Sequence, residues 1–275
     1  MGEDILIWDH PVGVGSKGSI LLVHGTAPMD IDGNIPKCDS RYPLGCMSLY
    51  KRLSKVLNSG GWSTLRYTRS GVNHESINWN EYMKVDHNVI IEQLNRLFKK
   101  MPCEKPRIIF CWSGGSLHIP HLPLEEAQGV VILGGLCTNR IHNALLMTKD
   151  KNRWNKFREE VEEFESMTYE EILKVNKPRG DGPLIRFWQE IKLNDNWTYF
   201  RKHVELPILI LHGSDDTEVH LIQAHLWKQL LPYHNITVVE KPGGNHFLGN
   251  DNKTGAEIVG REILKWLDEI GFTLL

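Results

Sequence analysis

The sequence predicts an α/β protein: a mostly parallel sheet flanked by helices, carrying a helical insertion. Three observations predict it. Apolar runs at residues 19–24, 107–112, 129–135 and 207–213 show no polar alternation, the mark of strands covered on both faces. From residue 60 onward, strand-like and helix-like segments alternate, as right-handed crossovers within one sheet require. Residues 137–203 break that rhythm with charged helical patterns and no convincing strand.

The elements follow in order. Residues 5–10 and 19–24 read as strands joined by a Gly-rich link, hence as an N-terminal hairpin. Residues 62–68 form a third strand. Residues 81–100 place Val85, Val89, Leu94, Leu97 and Phe98 near helical spacing. The strand at 107–112 leads into a short helix at 115–122, interrupted by Pro120, and then into the strand at 129–135. Further strands are expected at 207–213 and 236–240, with amphipathic helices at 218–231 and 256–270. Inside the insertion, helices are expected over 150–167 and 183–193, and another opens at Thr168, where Thr168-x-x-Glu171 spells a capping box. Lys177-Pro178-Arg179-Gly180-Asp181-Gly182 is a loop signal. The aromatics Trp154, Phe157, Phe164, Phe187 and Trp188 are expected mostly to glue the insertion to the body, a few to line a pocket. The domain reading is a core at 1–136 and 204–275 and a cap at 137–203.

At 275 residues the chain fits one large domain with an insertion. Hydrophobic residues at 41% and charged residues at 24% are ordinary for a soluble globular protein. A net charge of −2 argues against a nucleic-acid partner or an anionic membrane. No run approaches the ~20 apolar residues that span a bilayer. The acidic start lacks a signal-peptide core, and Leu6 rules out a myristoylation site. Five cysteines (Cys38, Cys46, Cys103, Cys111 and Cys137) occur without a CxxC pair, so reduced thiols in a cytoplasm are expected.

The run Ile108-Ile109-Phe110-Cys111-Trp112-Ser113-Gly114-Gly115-Ser116 ends an apolar strand at a serine among small residues. A strand turning sharply into a helix lifts the residue at the turn clear of the sheet, provided the positions two before and two after lack bulk. Those positions are Cys111 and Gly115, so Ser113 reads as a nucleophile; the bland alternative is a capping serine. A serine hydroxyl needs a general base, and the base needs an orienting carboxylate. Two later strand ends supply them. One runs into Ser214-Asp215-Asp216, the other into a Gly-rich loop ending at Asn245-His246. Serine, acid and histidine in that order, each just past a strand, suit a parallel sheet, whose chemistry gathers at the carboxyl ends.

Together these residues resemble the α/β-hydrolase fold family. The resemblance rests on His24-Gly25 after an early strand, Cys111-Trp112-Ser113-Gly114-Gly115 at the turn, and Gly213-Ser214-Asp215-Asp216-x-x-Val219 followed by Gly244-Asn245-His246-Phe247. The segment from His24 through Asp30-Ile31-Asp32-Gly33-Asn34, with Leu65-Arg66-Tyr67-Thr68-Arg69-Ser70-Gly71 further on, is similar to the esterase and prolyl-oligopeptidase-like branch. The resemblance implies that Ser113 attacks, that His246 takes and returns its proton, and that Asp216 is the triad acid, with Asp215 the alternative. It implies an oxyanion hole from the backbone N–H groups of Gly114 and Thr26, with Ala27 as a substitute donor. His24 is expected to be structural, its ring bonding loop backbone, and Trp112 to pack near the pocket. Cys111 stands where the family usually has Gly; as a rival nucleophile it points to the opposite side of the turn. The implied activity is hydrolysis of a carboxylic ester or related acyl bond through an acyl-enzyme on Ser113. The expected partner is a small, partly apolar acyl substrate, with no cofactor and no metal. Acyltransferase, thioesterase, lactonase or lyase chemistry on the same residues, or a non-catalytic binding protein, stays open.

Other signals carry less. Gly13-x-Gly15-x-x-Gly18 spells a dinucleotide fingerprint, but a strand follows where a helix is required. Asp30-x-Asp32-Gly33-Asn34 hints at a calcium loop, yet Ile35 and Arg41 stand where an EF-hand needs Gly and Glu. His118 and His121 sit three apart without a third ligand nearby in sequence and read as pocket or surface histidines. The charge run over 158–165 reads as a solvated helix face.

Overall fold

A computed structural model describes residues 5–13, 15–36, 48–179, 182–250 and 255–272. Cys38, Cys46, Arg41, Gly180 and Asp181 lie outside them. The strands are β1 (Leu6–Asp9), β2 (Ser19–Val23), β3 (Ser63–Tyr67), β4 (Arg107–Trp112), β5 (Gly129–Leu133), β6 (Pro178–Arg179), β7 (Gly182–Pro183), β8 (Ile208–Gly213) and β9 (Ile236–Lys241). The helices are α1 (Leu49–Ser59), α2 (Trp79–Tyr82), α3 (His87–Lys99), α4 (Arg140–Met147), α5 (Lys151–Ser166), α6 (Tyr169–Lys174), α7 (Leu184–Ile191), α8 (Asn196–Phe200), α9 (Ile222–Leu230) and α10 (Ala256–Glu269). Among the described residues, seven strands form one sheet in the order β1-β3-β2-β4-β5-β8-β9. Every pairing in it is parallel except β1 with β3.

The central strands are apolar throughout because both faces are covered. Ile109, Cys111, Val130, Ile132 and Ile210 face one way, against Ile90, Leu94 and Phe98 of α3 and Trp227 of α9. Ile108, Phe110, Trp112, Val131 and Leu211 face the other way, against Leu53 and Leu57 of α1 and Ile263 and Trp266 of α10. Each fully buried aliphatic side chain contributes about 1.5–3 kcal/mol by leaving water.

The expected N-terminal hairpin does not form. β1 pairs antiparallel with β3, Leu6 opposite Tyr67, because both edges of β2 are taken by β3 and β4. Arg66 of β3 grips Asp9 of β1 through Nε–Oδ2 at 2.6 Å. The single helix expected over 81–100 is two, because the Asp86 carboxylate caps α3 by accepting the Val89 N–H at 2.9 Å. The helix expected from residue 218 begins at Ile222, since Asp216 takes the Glu218 and Val219 amides into a turn. The short helix after Ser113 is a pair of 3₁₀ turns, Ser113–Leu117 and Ile119–His121.

Between β5 and β8 the chain builds α4 to α8; α4 to α7 pack around Val161, Ile172, Leu184, Ile185, Phe187 and Ile191, a small core of their own, while Phe200 of α8 joins the core under the sheet. The capping box at Thr168 is present. Two helices beyond those expected, α4 and α8, frame the insertion, and β6 and β7 form a two-residue antiparallel ladder where no strand was expected. The insertion leaves and rejoins the body at one stem. Trp197 N–H donates to the Cys137 carbonyl at 3.1 Å, Asn139 N–H to the Asp195 carboxylate at 2.8 Å, and the Asn196 amide to the Leu136 carbonyl at 2.8 Å. No helix of the described residues is long and apolar enough to cross a membrane.

Candidate active site

The strand order reverses at β2, with β3 on one side and β4 on the other, and a parallel sheet opens a crevice at such a switch point. Ser113 follows β4 there. Its φ of 54° lies in the left-handed region, a conformation that costs a non-glycine residue about 1–3 kcal/mol and aims the side chain away from the sheet. The loop after β2 packs directly on this turn. A Cβ on Gly115 would come within 2.5 Å of the His24 carbonyl, and one on Gly25 within 3.3 Å of the Ser113 Cβ. A Cβ on Gly114 would overlap the Thr26 hydroxyl. Thr26 and Gly114, the two expected donors, are therefore neighbours across the crevice. Ser116 ties the turn down by donating to the Ser113 carbonyl and accepting from the Leu136 N–H, both at 2.9 Å.

Asp216 and His246 stand past the ends of adjacent strands β8 and β9. The His246 Nδ1–H donates to Asp216 Oδ2 at 2.7 Å, which leaves the lone pair on Nε2. The other carboxylate oxygen accepts the Glu218 and Val219 amides at 2.8 and 3.0 Å. Burial acts to raise the Asp216 carboxyl, but the charge and hydrogen bond of His246 and the Val219 amide outweigh it and hold it below the usual carboxylate range. Asp215 instead accepts the Ser214 hydroxyl at 2.8 Å and is not the partner of His246. Gly134, at φ 52°, keeps the pair accessible: a Cβ there would lie 3.0 Å from His246 Nδ1. Trp112 donates its indole N–H to the His246 carbonyl at 3.1 Å, and the two ring centroids are 5.2 Å apart, so the histidine is held beside the strand that carries Ser113. Among the described residues the Ser113 hydroxyl makes no hydrogen bond. Catalytic contacts are often loose in a ligand-free site and tighten around substrate.

Three residues of the site, His212, Arg69 and Arg186, were given no role from the sequence, although Arg69 stands within the 65–71 run that carries the resemblance. His212 on β8 approaches Asp216 Oδ2 through Nε2 at 3.3 Å while donating to the Val219 carbonyl at 3.0 Å. Burial pulls His212 below the usual histidine range; its Nε2–H goes to the Val219 carbonyl, and the ring packs beside the acid. Arg69 and Arg186, both buried, clamp the loop after β2. Arg69 reaches the Thr26, Ala27 and His24 carbonyls at 3.0, 3.3 and 3.3 Å, and Arg186 of α7 reaches the Thr26 carbonyl at 2.8 Å. His24 corrects an expectation. Its ring does not bond loop backbone; both ring nitrogens are buried without partners, and the ring is stacked between Tyr50 and Tyr67. Burial, then the charge of Arg69, pushes it well below the usual range. Cys111 is fully buried on the α3 face, where burial raises its thiol far out of the reactive range. Asp30 closes its own loop by accepting the Asp32 and Asn34 amides at 2.9 and 2.8 Å and bonding His74 at 2.8 Å, the work of a polar turn.

No family model matches the sequence, and no curated protein matches it. Solved structures do. A soluble variant of monoglyceride lipase from Saccharomyces cerevisiae, in complex with a substrate analogue, superposes with a TM-score of 0.66 at 17% identity, covering 98% of this chain and 92% of that one. Est1E from Butyrivibrio proteoclasticus with bound ferulic acid gives 0.61 at 16% identity over 97% and 94% of the two chains. The esterase domain of a Rhodothermus marinus protein gives 0.58 at 16% identity over 95% and 91%. A nearly all-parallel sheet with a left-handed serine after its fourth strand, matched over almost the whole length by these structures, establishes that the chain has the α/β-hydrolase fold.

Proposed function

We propose that the protein is a serine hydrolase that cleaves a carboxylic ester or a related acyl bond through an acyl-enzyme on Ser113. The observation that carries the reading is the Asp216–His246 hydrogen bond at 2.7 Å, formed at the rim where Ser113 rises from the sheet. His246 Nε2 takes the proton as Ser113 Oγ attacks the acyl carbon. The negative charge that develops on the carbonyl oxygen falls to the N–H groups of Gly114 and Thr26; one such donor is worth about 2.7–4 kcal/mol in a well-studied hydrolase. His246 then protonates the leaving alkoxide, and a water activated the same way releases the acid. Asp216 holds the ring in the tautomer this needs.

Residues 137–203 serve in this reading as a cap. The reach of Arg186 to Thr26, and of the Asn143 amide to the Glu218 carbonyl at 3.1 Å, support its seat over the strand ends. A partly apolar acyl substrate suits its aromatic content, and the esterase and lipase neighbours agree with ester cleavage. The test is Ser113→Ala on a small aryl ester, with fluorophosphonate labelling of the unmodified protein. Activity should fall by roughly 10⁴-fold or more and the label should map to Ser113. Undiminished turnover in the pure variant would defeat the mechanism.

A further inference from the structure

We propose that His87, His118 and Glu190 form a binding site for a divalent transition metal of the zinc class, which fastens the helical insertion to the body. The three residues come from three places: the first residue of α3, the position after the first 3₁₀ turn past Ser113, and the last turn of α7. Each offers a ligand atom within 4.8 Å of the other two, and all three side chains are at least nine-tenths buried. The Nδ1 atoms of His87 and His118 lie 3.0 Å apart. Two nitrogens bound to one ion at about 2.0–2.1 Å stand roughly 3.0–3.4 Å from each other, so the spacing is already that of a chelate.

A second observation points the same way. The surroundings are polar and unsatisfied: the Nε2 atoms of His87 and His121 are buried with no partner. The His121 ring meets His87 edge-on at 5.2 Å between centroids but stands outside the three converging ligand atoms, so water would fill the fourth coordination position. Orphaned polar atoms at such depth are uncommon and call for an ion or water.

The surrounding charges decide which ion fits and what must move. Asp86 and Glu190 are negative. Arg186 Nε stands 3.8 Å from Glu190 Oε1, Arg140 pairs with Glu190 Oε2, and Arg69 bears on His118. Arg186 stays engaged with the Thr26 carbonyl, whereas Arg140, 28% exposed, can release Glu190 to the ion and turn to solvent. Two imidazoles and one carboxylate select Zn²⁺ or Co²⁺ over the oxygen-loving Mg²⁺ and Ca²⁺. The pair at 118 and 121 lacked a third ligand along the sequence; the fold brings one from α3 and one from the insertion. The site is separate from Ser113, Asp216 and His246, so its ion acts as a clasp.

The test uses untagged full-length protein stripped of metal and titrated with Co²⁺, followed by visible absorption and bound-metal stoichiometry. One ion per chain with d–d bands of nitrogen and oxygen ligation is expected, lost in folded His87→Gln and His118→Gln and kept in His225→Gln, a surface control. Folded unmodified protein that binds no Co²⁺, or an equal signal in His87→Gln, overturns the proposal. Should the variants fail to fold, zinc-edge anomalous scattering from crystals of the unmodified protein grown with Zn²⁺ decides: a peak about 2.1 Å from both histidine nitrogens supports it, and no peak there overturns it.

Discussion

Ser113 pays a conformational cost that glycine would not, because a left-handed backbone is strained for any residue with a Cβ. Ser113→Gly is therefore expected to abolish ester hydrolysis while gaining up to about 1 kcal/mol of stability, read as a higher urea midpoint. His212 gives a second prediction. Replacing it with Leu removes the imidazole 3.3 Å from Asp216 Oδ2 and its bond to the Val219 carbonyl, loosening the turn that holds the acid, so kcat should fall several-fold with KM nearly unchanged. A large change in KM alone would refute that role. Ser113, Asp216 and His246 could be picked out in the sequence because each follows its own apolar strand. Asp216 was preferred to Asp215 for its place at the head of Asp216-x-x-Val219, and in the structure it is Asp216 whose carboxylate meets the His246 ring. The roles of Arg69, Arg186 and Ser116 were illegible, since each acts on backbone atoms of a segment distant in sequence.

At the scale of elements, α7 is the piece that links the insertion to the loop after β2. Arg186→Met leaves the Thr26 carbonyl with fewer donors and lets the adjoining peptides rotate. The expected result is a fall in kcat of about tenfold, partly restored in Arg186→Lys, with ester KM less affected. An unchanged kcat would show that Arg69 and Tyr82 suffice. The cap of α3 supplies a stability test: Asp86→Ala should cost about 1 kcal/mol in urea unfolding, and more where the lost bond to the Gln189 amide counts as well. The inner strands were plain in the sequence, since strands buried on both faces must be apolar throughout. β1 was readable as a strand but its partner was not: pairing is decided by which edges remain free after β2, β3 and β4 assemble. α1 was not drawn from the sequence although Leu49, Leu53 and Leu57 repeat at helical spacing.

For the whole molecule, the buried histidines set the response to acid. His24, through burial and then Arg69, and His212, through burial, are held below the usual histidine range. As pH falls below ~6.5, the unfolded chain takes up protons there before the folded one does. Stability therefore rises with pH across that window and drains away in acid. Asp216, with its folded value depressed, adds stability above ~4 that is lost as pH falls through the folded value. Urea midpoints should be level from pH 8 to 7 and decline below ~6.5. His24→Phe, which keeps the stack with Tyr50 and Tyr67 and removes two orphaned nitrogens, should decline less steeply. An identical slope would exclude His24 as a source.

The stem at Leu136–Asn139 and Asp195–Trp197 has a consequence for how such a chain diversifies. A panel whose chain enters and leaves at one post can be exchanged, lengthened or reshaped without shifting the register of any strand behind it. New selectivity can then arise by trading one contiguous stretch of gene while the reactive rim is left alone. The trade has conditions: the incoming panel must bring its own donor for the Thr26 carbonyl and its own partner for Asp86.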